Sequence, residues 1–225
     1  MHIEPGIVIG AKMALSYGTA LTAAALLTKH TVNHLMTAGP LSLMVKSLMT
    51  TILVFIFFEV LPHHAVGVSE VHFILGSTLF LIFGIAPAGI GLTLGLFIQG
   101  FFFAPTDLAQ FSINITTLLM PLFAMHFIAN KIIPANTAYK DVSYLQALKL
   151  SAVFQGGIIS WVGFWALYGQ GLSEQNISQV LAFAGAYSAV IILEPIIDIA
   201  ILAIAKTAYI AKGNILIENR LYHPA

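Results

Sequence analysis

Residues 71–103 read VHFILGSTLFLIFGIAPAGIGLTLGLFIQGFFF, with no Asp, Glu, Lys or Arg anywhere in the stretch. An apolar stretch of 18 residues or more with few charges reads as membrane-spanning. The turn signal at Ala86-Pro87 divides it into two runs, 71–85 and 88–103. At ~1.5 Å per residue, a helix of about 16 residues covers only about 24 Å, short of the ~30 Å hydrocarbon core. The two runs therefore predict a pair of short helices buried among longer ones.

The rest of the chain has the same character. Of 225 residues, 59% are hydrophobic and 8% are charged, with nine basic and nine acidic side chains; the mean hydropathy is +0.94. A soluble domain is typically about 25% charged. So few polar groups cannot cover a water-facing surface, so a soluble globular protein is excluded. A net charge of zero leaves no electrostatic case for nucleic acid. There is no cysteine, so disulfides and thiolate metal sites are excluded.

Apolar runs separated by turn signals predict an all-α integral membrane protein, a bundle of about seven transmembrane helices. They fall at 7–27, 41–61, 71–85, 88–103, 108–133, 145–168 and 178–210. The last is too long for one perpendicular span, and a break or kink is expected at Gly185 or Pro195. The chain reads as one membrane domain over 1–225, with a short polar tail at 212–225. No signal peptide is expected, because MHIEPG lacks a basic start and a small-residue cleavage site. Met1 is expected to be retained, because His2 is too large for its removal.

Charge then orients the bundle in the lipid bilayer. Segments 1–6, 62–70, 104–107 and 169–177 contain no Lys or Arg and hold Glu4, Glu70, Asp107 and Glu174. The opposite set carries Lys29, Lys131, Lys140, Lys149, Lys206, Lys212 and Arg220. The N-terminus is expected outside and the C-terminus inside. Lys12, about a turn and a half into the first helix, is expected to pair with Glu59 or Glu4, because a charge near the bilayer centre costs about 2.5–3.5 kcal/mol. Glu194 and Asp198 are four apart and share a helix face; a structural role is expected for both.

The eight histidines carry the chemistry. His2, His63, His64 and His72 fall on the outer side, close to Glu4, Glu59, Glu70 and Asp107; His30 and His34 fall on the inner side, and His126 lies within the fifth span. Nitrogen and oxygen ligands without thiolate suit nickel, cobalt, copper(II) or zinc. His2 has a special place. The α-amine of Met1 and the amide and imidazole of His2 can close two small chelate rings on one ion. Three in-plane nitrogens favour a square-planar ion such as Ni(II) or Cu(II), with Co(II) also compatible. His72, His63 and His64 are the candidates for a fourth ligand. A His after the initiator Met also occurs by chance, and adjacent loop histidines are usually solvated.

Three stretches resemble the CbiM/NikM-type proteins, the cobalt- and nickel-binding membrane subunits of energy-coupling-factor ABC transporters. They are Met1-His2-Ile3 with Pro5-Gly6, Gly67-Val68-Ser69-Glu70-Val71-His72, and Gln99 with Asn114. Glu194 is similar to a glutamate late in that family. Glu4-Pro5-Gly6, Ser112 and Pro195 depart from the family pattern. The resemblance implies that segment 1–6 folds into the bundle and chelates the ion through Met1, His2 and His72. His63, His64 and Glu70 would be further ligands or lie on the approach, and Gln99 and Asn114 would line the pocket. It implies Co(II) or Ni(II) as transported substrate, no organic cofactor, and the bacterial cytoplasmic membrane as location. The implied partners are a transmembrane coupling subunit, two ATPase subunits and a small accessory membrane subunit. The absence of a phosphate-binding G-x-x-x-x-G-K-[ST] loop agrees with ATP hydrolysis in a partner. Two other classes compete. A histidine-ligated membrane metalloenzyme, of desaturase or hydroxylase type, needs its histidines on one face. A retinal photoreceptor needs a mid-helix lysine, and Lys206 lies too near the inner end.

Overall fold

The computed structural model describes residues 3–207 and 215–223. Its helices are α1 Met13–Phe55, α2 Gly76–Phe83, α3 Ile85–Phe102, α4 Phe111–Ile132, α5 Tyr144–Gln170 and α6 Glu174–Thr207, and a two-stranded hairpin, β1 His64–Val66 and β2 Ser69–Val71, precedes α2. Among the described residues, five helical stretches are long and apolar enough to cross a membrane: Gly10–Val60, Ile85–Phe102, Pro105–Ile132, Tyr144–Gln170 and Glu174–Ala205.

The difference from seven predicted spans has two physical causes. The first two runs are one continuous stretch interrupted only at Gly39, where φ is 81° and ψ is 167°. Pro40 follows, and a proline disfavours helical backbone in the residue before it. The chain turns back there. Along α3, Gly89 packs on Leu27 while Gly91 and Gly95 pack on Thr50 and Val54. Thr93 shares a groove with Ala20 and Ala24. As α3 advances, it therefore meets descending numbers in the first half of α1 and ascending numbers in the second.

The second cause lies at 71–85. That run is not one helix: α2 has 8 residues, about 12 Å at 1.5 Å per residue. Leu75, at φ 52°, separates it from an extended piece. Extended backbone at membrane depth is tolerated only when protein surrounds it, and every residue from Ile74 to Leu81 is buried. The segment still crosses the bundle. His72 meets Phe58 at one end, and the Ile82 carbonyl accepts from Glu218 N–H at the other, at 2.7 Å.

The expected break in the last span does not occur; α6 stays helical through Gly185 and Pro195. A helical proline leaves the carbonyl four residues earlier without its usual donor. Here that carbonyl is Ile191 O, and Ser151 Oγ of α5 lies 3.3 Å from it, its one hydroxyl hydrogen shared between Ile191 O and Glu194 Oε2. The two acids of α6 are buried and served by hydroxyl and amide donors. Asp198 accepts from Ser77 and Thr78, and Glu194 accepts from Ser151 and Gln155 at 2.9 and 2.8 Å. Lys12 does not meet Glu59 or Glu4; its Nζ donates to Gly169 O at 2.9 Å and lies over Tyr168.

The two ends of the bundle differ in charge. The hairpin end holds Glu4, Glu59, Glu70, Asp107 and Glu174, with Lys12 as its basic residue among those described. The opposite end holds Lys29, Lys46, Lys131, Lys140, Lys149 and Arg220. There residues 215–223 fold back on the bundle: Leu221 is buried, and Arg220 donates to Ile133 O and Pro134 O.

Gly67, at φ +62°, brings the hairpin against α6 so closely that a Cβ would collide with the Gln179 carbonyl. Gly185, within α6, has open space where a Cβ would stand. Gly67→Val should destabilise the chain by about 2–4 kcal/mol, whereas Gly185→Ala should stabilise it by about 0.4–1 kcal/mol. Thermal unfolding of the two variants in detergent checks both signs.

Candidate metal centre

The hairpin builds this region. Its strands are antiparallel, with His64 opposite Val71, Ala65 opposite Glu70 and Val66 opposite Ser69. Gly67 and Val68 make a two-residue turn, and the positive φ of Gly67 suits it. The edge of β2 is not left bare. Ile3 forms an antiparallel bridge with Ser69, and Glu4 N–H donates to Val68 O at 3.2 Å. The N-terminal segment thus lies beside the hairpin as a short third strand.

That segment is threaded into the bundle. Ile3, Ile7 and Val8 are buried. Asn114 Oδ1 accepts from Ile3 N–H at 2.9 Å, and Gln110 Nε2 donates to Val8 O at 3.0 Å. Gly169 lies so close to Ile7 that a Cβ there would strike its carbonyl. Helices α4 and α5, with the turn before α4, therefore grip residues 3–8 by their backbone. Met1 and His2 lie outside the described residues.

His72 follows β2 by one residue and is buried. Its Nε2 lies 3.0 Å from Glu70 Oε2. Its ring is 5.0 Å from that of His63, nearly parallel, and 5.3 Å from Phe58. Tyr187 Oη of α6 lies 3.5 Å from both the nitrogen and the oxygen of the His72 backbone, the long limit of hydrogen bonding. His63 and His64 are exposed. His64 and His72 line one apolar groove of about 450 Å³ with Ala186 and Val190. Asp107 lies within Coulombic reach of Glu70 and Glu4, which gives this end an acidic rim.

Of the residues singled out from the sequence, the fold therefore gathers His63, His64, Glu70 and His72 around the hairpin and puts Asn114 on the incoming strand. Gln99 is buried in α3, one turn beyond the Gly95–Val54 contact, with Oε1 unpartnered among the described residues. Among those residues no three His, Cys, Asp or Glu side chains already converge to hold a metal. His30, His34 and His126 lie at the opposite end, with His30 against His126.

A comparison with protein families matches residues 2–209 to CbiM, described as "Cobalt uptake substrate-specific transmembrane region". The chain belongs to the CbiM family. It is a substrate-specific membrane component of cobalt uptake, a transporter component rather than an enzyme, and a multi-pass membrane protein for which the bacterial cytoplasmic membrane fits the family. Searches among curated proteins and among solved structures give no match.

Sequence reasoning missed the hairpin, Gln110, Gly169 and Tyr187. The hairpin had a signal: HAVGVSEV places a glycine between two short alternating runs. Nothing in the sequence pairs Tyr187 with His72, 115 residues away.

Asn114→Ala removes the acceptor for a buried amide while leaving the helix intact. In this CbiM chain it should weaken cobalt binding about 10–100-fold, the usual cost of losing a group that holds a ligand in place. The unfolding temperature should fall modestly, by the ~1–3 kcal/mol of an unsatisfied buried group. Calorimetric titration and thermal unfolding of the same sample separate the two effects.

Proposed function

We propose that this CbiM chain captures Co(II) or Ni(II) from outside the cell for an energy-coupling-factor importer, through a chelate made by its own N-terminus. The observation that carries this reading is the fixing of Ile3 inside the bundle, on Asn114 and Ser69. Successive Cα atoms are ~3.8 Å apart, so an anchor at Ile3 puts the hairpin within reach of the proposed chelating residues. His72 lies three residues beyond Ser69 on that hairpin.

The donor set is then the amine of Met1, the amide and imidazole of His2, and the imidazole of His72. Four nitrogens in a plane suit Ni(II) and low-spin Co(II). Glu70 supports His72 as a ligand. A metal-bound histidine generally gives its other ring N–H to a carboxylate, and Nε2–H donating to Glu70 makes Nδ1 the lone-pair nitrogen. His63, stacked on His72, and His64 stand at the mouth. Gln99 and Asn114 hold the pocket. The rim of Glu4, Glu70 and Asp107 raises the local concentration of dications.

The Lys- and Arg-rich end faces the cytoplasm on this reading, and the hairpin end faces outside. Segment 1–6 acts as the chelating arm of one domain, 1–225, and the C-terminal tail lies inside. The core between the two ends is packed, with Ile74 to Leu81 all buried. Release inward therefore needs a movement of the whole subunit, driven by ATPase partners through a transmembrane coupling subunit, with a small accessory membrane subunit completing the complex. The histidine-ligated enzyme alternative gains nothing from the fold, which sends the histidines to opposite ends.

Three outcomes are expected. His2→Ala, and one extra residue before Met1, should each abolish stoichiometric Co(II) or Ni(II) binding while leaving thermal unfolding of the metal-free chain unchanged; unchanged binding in both would sink the chelate. Binding requires an amine of ordinary pKa ~8 and an imidazole of ~6.5 to lose protons. Affinity should accordingly fall as pH drops below about 8 and more steeply below about 6.5, which titrations across pH will show. The chain has no cysteine, so single cysteines report sidedness. Ala65→Cys should react with an impermeant maleimide on intact cells, and Ala135→Cys only after permeabilisation.

A further inference from the structure

The other gathering of nitrogen donors lies at the end of the bundle opposite His72. A polar cavity of about 210 Å³ opens there, lined by His30 and His34 of α1, His126 of α4, and Glu218 and Arg220 of the C-terminal segment. The sequence places His30 and His34 one turn apart, and the fold brings a third imidazole and a carboxylate to them from distant parts of the chain.

The geometry of the first two rings is specific. The centroids of His30 and His126 are 5.1 Å apart and their planes are 86° apart. A metal–nitrogen bond of ~2.0–2.1 Å puts an imidazole centroid about 3.2 Å from the ion, so two rings at 90–110° on one ion stand about 4.5–5.2 Å apart. The observed spacing falls in that range. His126 Nδ1 is buried and meets no hydrogen-bond partner among the described residues, while Nε2 lies 3.4 Å from Asn130 Nδ2.

The remaining donors line the same cavity. His34 Nε2 has only a 3.4 Å approach to Ser42 Oγ to give up. The Glu218 carboxylate abuts Gly84, where a Cβ would collide with it, and lies 3.8 Å from Lys46 Nζ. Arg220 faces the same cavity, but its guanidinium is committed to two carbonyls and to the Tyr139 ring. Burial holds the Tyr139 phenol above its ordinary pKa, against the opposing pull of Arg220, so it is a neutral hydroxyl on the wall.

We propose that this cavity is a second divalent transition-metal site, with the His30 and His126 imidazoles as its fixed ligands and His34 and Glu218 closing on the ion by side-chain rotation. Imidazole with one carboxylate suits Co(II), Ni(II) or Zn(II). Lys46 and Arg220 oppose a dication there, so the site is weaker than a four-nitrogen chelate. The proposal does not depend on the N-terminal chelate.

The test is a Co(II) titration of the full-length chain in detergent, followed by visible d–d absorption and by equilibrium dialysis. It is repeated with one extra residue before Met1, and with His30→Gln and His126→Gln separately on each background. The expected result is a second, weaker equivalent that survives the N-terminal extension and is lost in both histidine variants. His30 is only half-buried, so its variant keeps the fold even if the His126 variant does not. Retention of the tight equivalent in the His30 variant confirms that the rest of the chain is intact. Absence of a second equivalent, or its persistence in His30→Gln, would overturn the proposal.

Discussion

Backbone amides and carbonyls inside an apolar bundle must find partners, and that constraint governs this structure. Leaving one unpaired there costs several kcal/mol. Helices solve the problem within themselves. The segments at the hairpin end are not helical, and each is satisfied from outside. Ile3 N–H has Asn114, Glu4 N–H has Val68 O, and Val8 O has Gln110. The extended piece at His72 lies against Tyr187, and the carbonyl freed by Pro195 accepts a hydrogen bond from Ser151. These partners are what allow irregular chain to lie at membrane depth, and irregular chain is where the nitrogen donors are.

Helix α6 is the frame for this arrangement. Tyr187 meets the His72 backbone, Asp198 receives Ser77 and Thr78 at the start of α2, and Glu194 receives two donors from α5. The whole crossing from His72 to α2 is therefore fastened to one helix. Two buried acids within one turn are costly, and they are held by neutral donors on α2 and α5. Position of His72 and packing of the core are thus parts of one network, while most charged residues gather at the two ends.

The membrane class was legible from composition, because 8% charged residues leave no alternative solvent. The long apolar runs were legible from hydrophobicity and turn residues, although the first was ended at 27 while α1 stays helical up to Gly39. The third span was misjudged for a physical reason. A buried extended strand and a buried helix are equally apolar, so 71–85 carries no period to tell them apart, and the αL backbone of Leu75 has no sequence signal. The α6 break was misjudged because a proline reads as an interruption until its freed carbonyl is known to have Ser151. Lys12 was assigned a carboxylate partner, yet a backbone carbonyl at a helix end, Gly169 O, carries negative potential as well. Gly91 and Gly95 let α3 pack closely on Thr50 and Val54 of α1. Asn114 was picked out only through the family resemblance, and its bond to Ile3 joins residues 111 apart and exists only in the fold.

The claim on which function rests is that a strand anchored at Ile3 delivers the chain's own first nitrogens to His72. X-ray absorption at the metal edge of the full-length, metal-loaded chain tests it most directly. A four-coordinate planar shell of nitrogen alone, with scattering from two imidazoles, is the predicted result. A six-coordinate shell rich in oxygen, or a shell with the signature of a single imidazole, would contradict it.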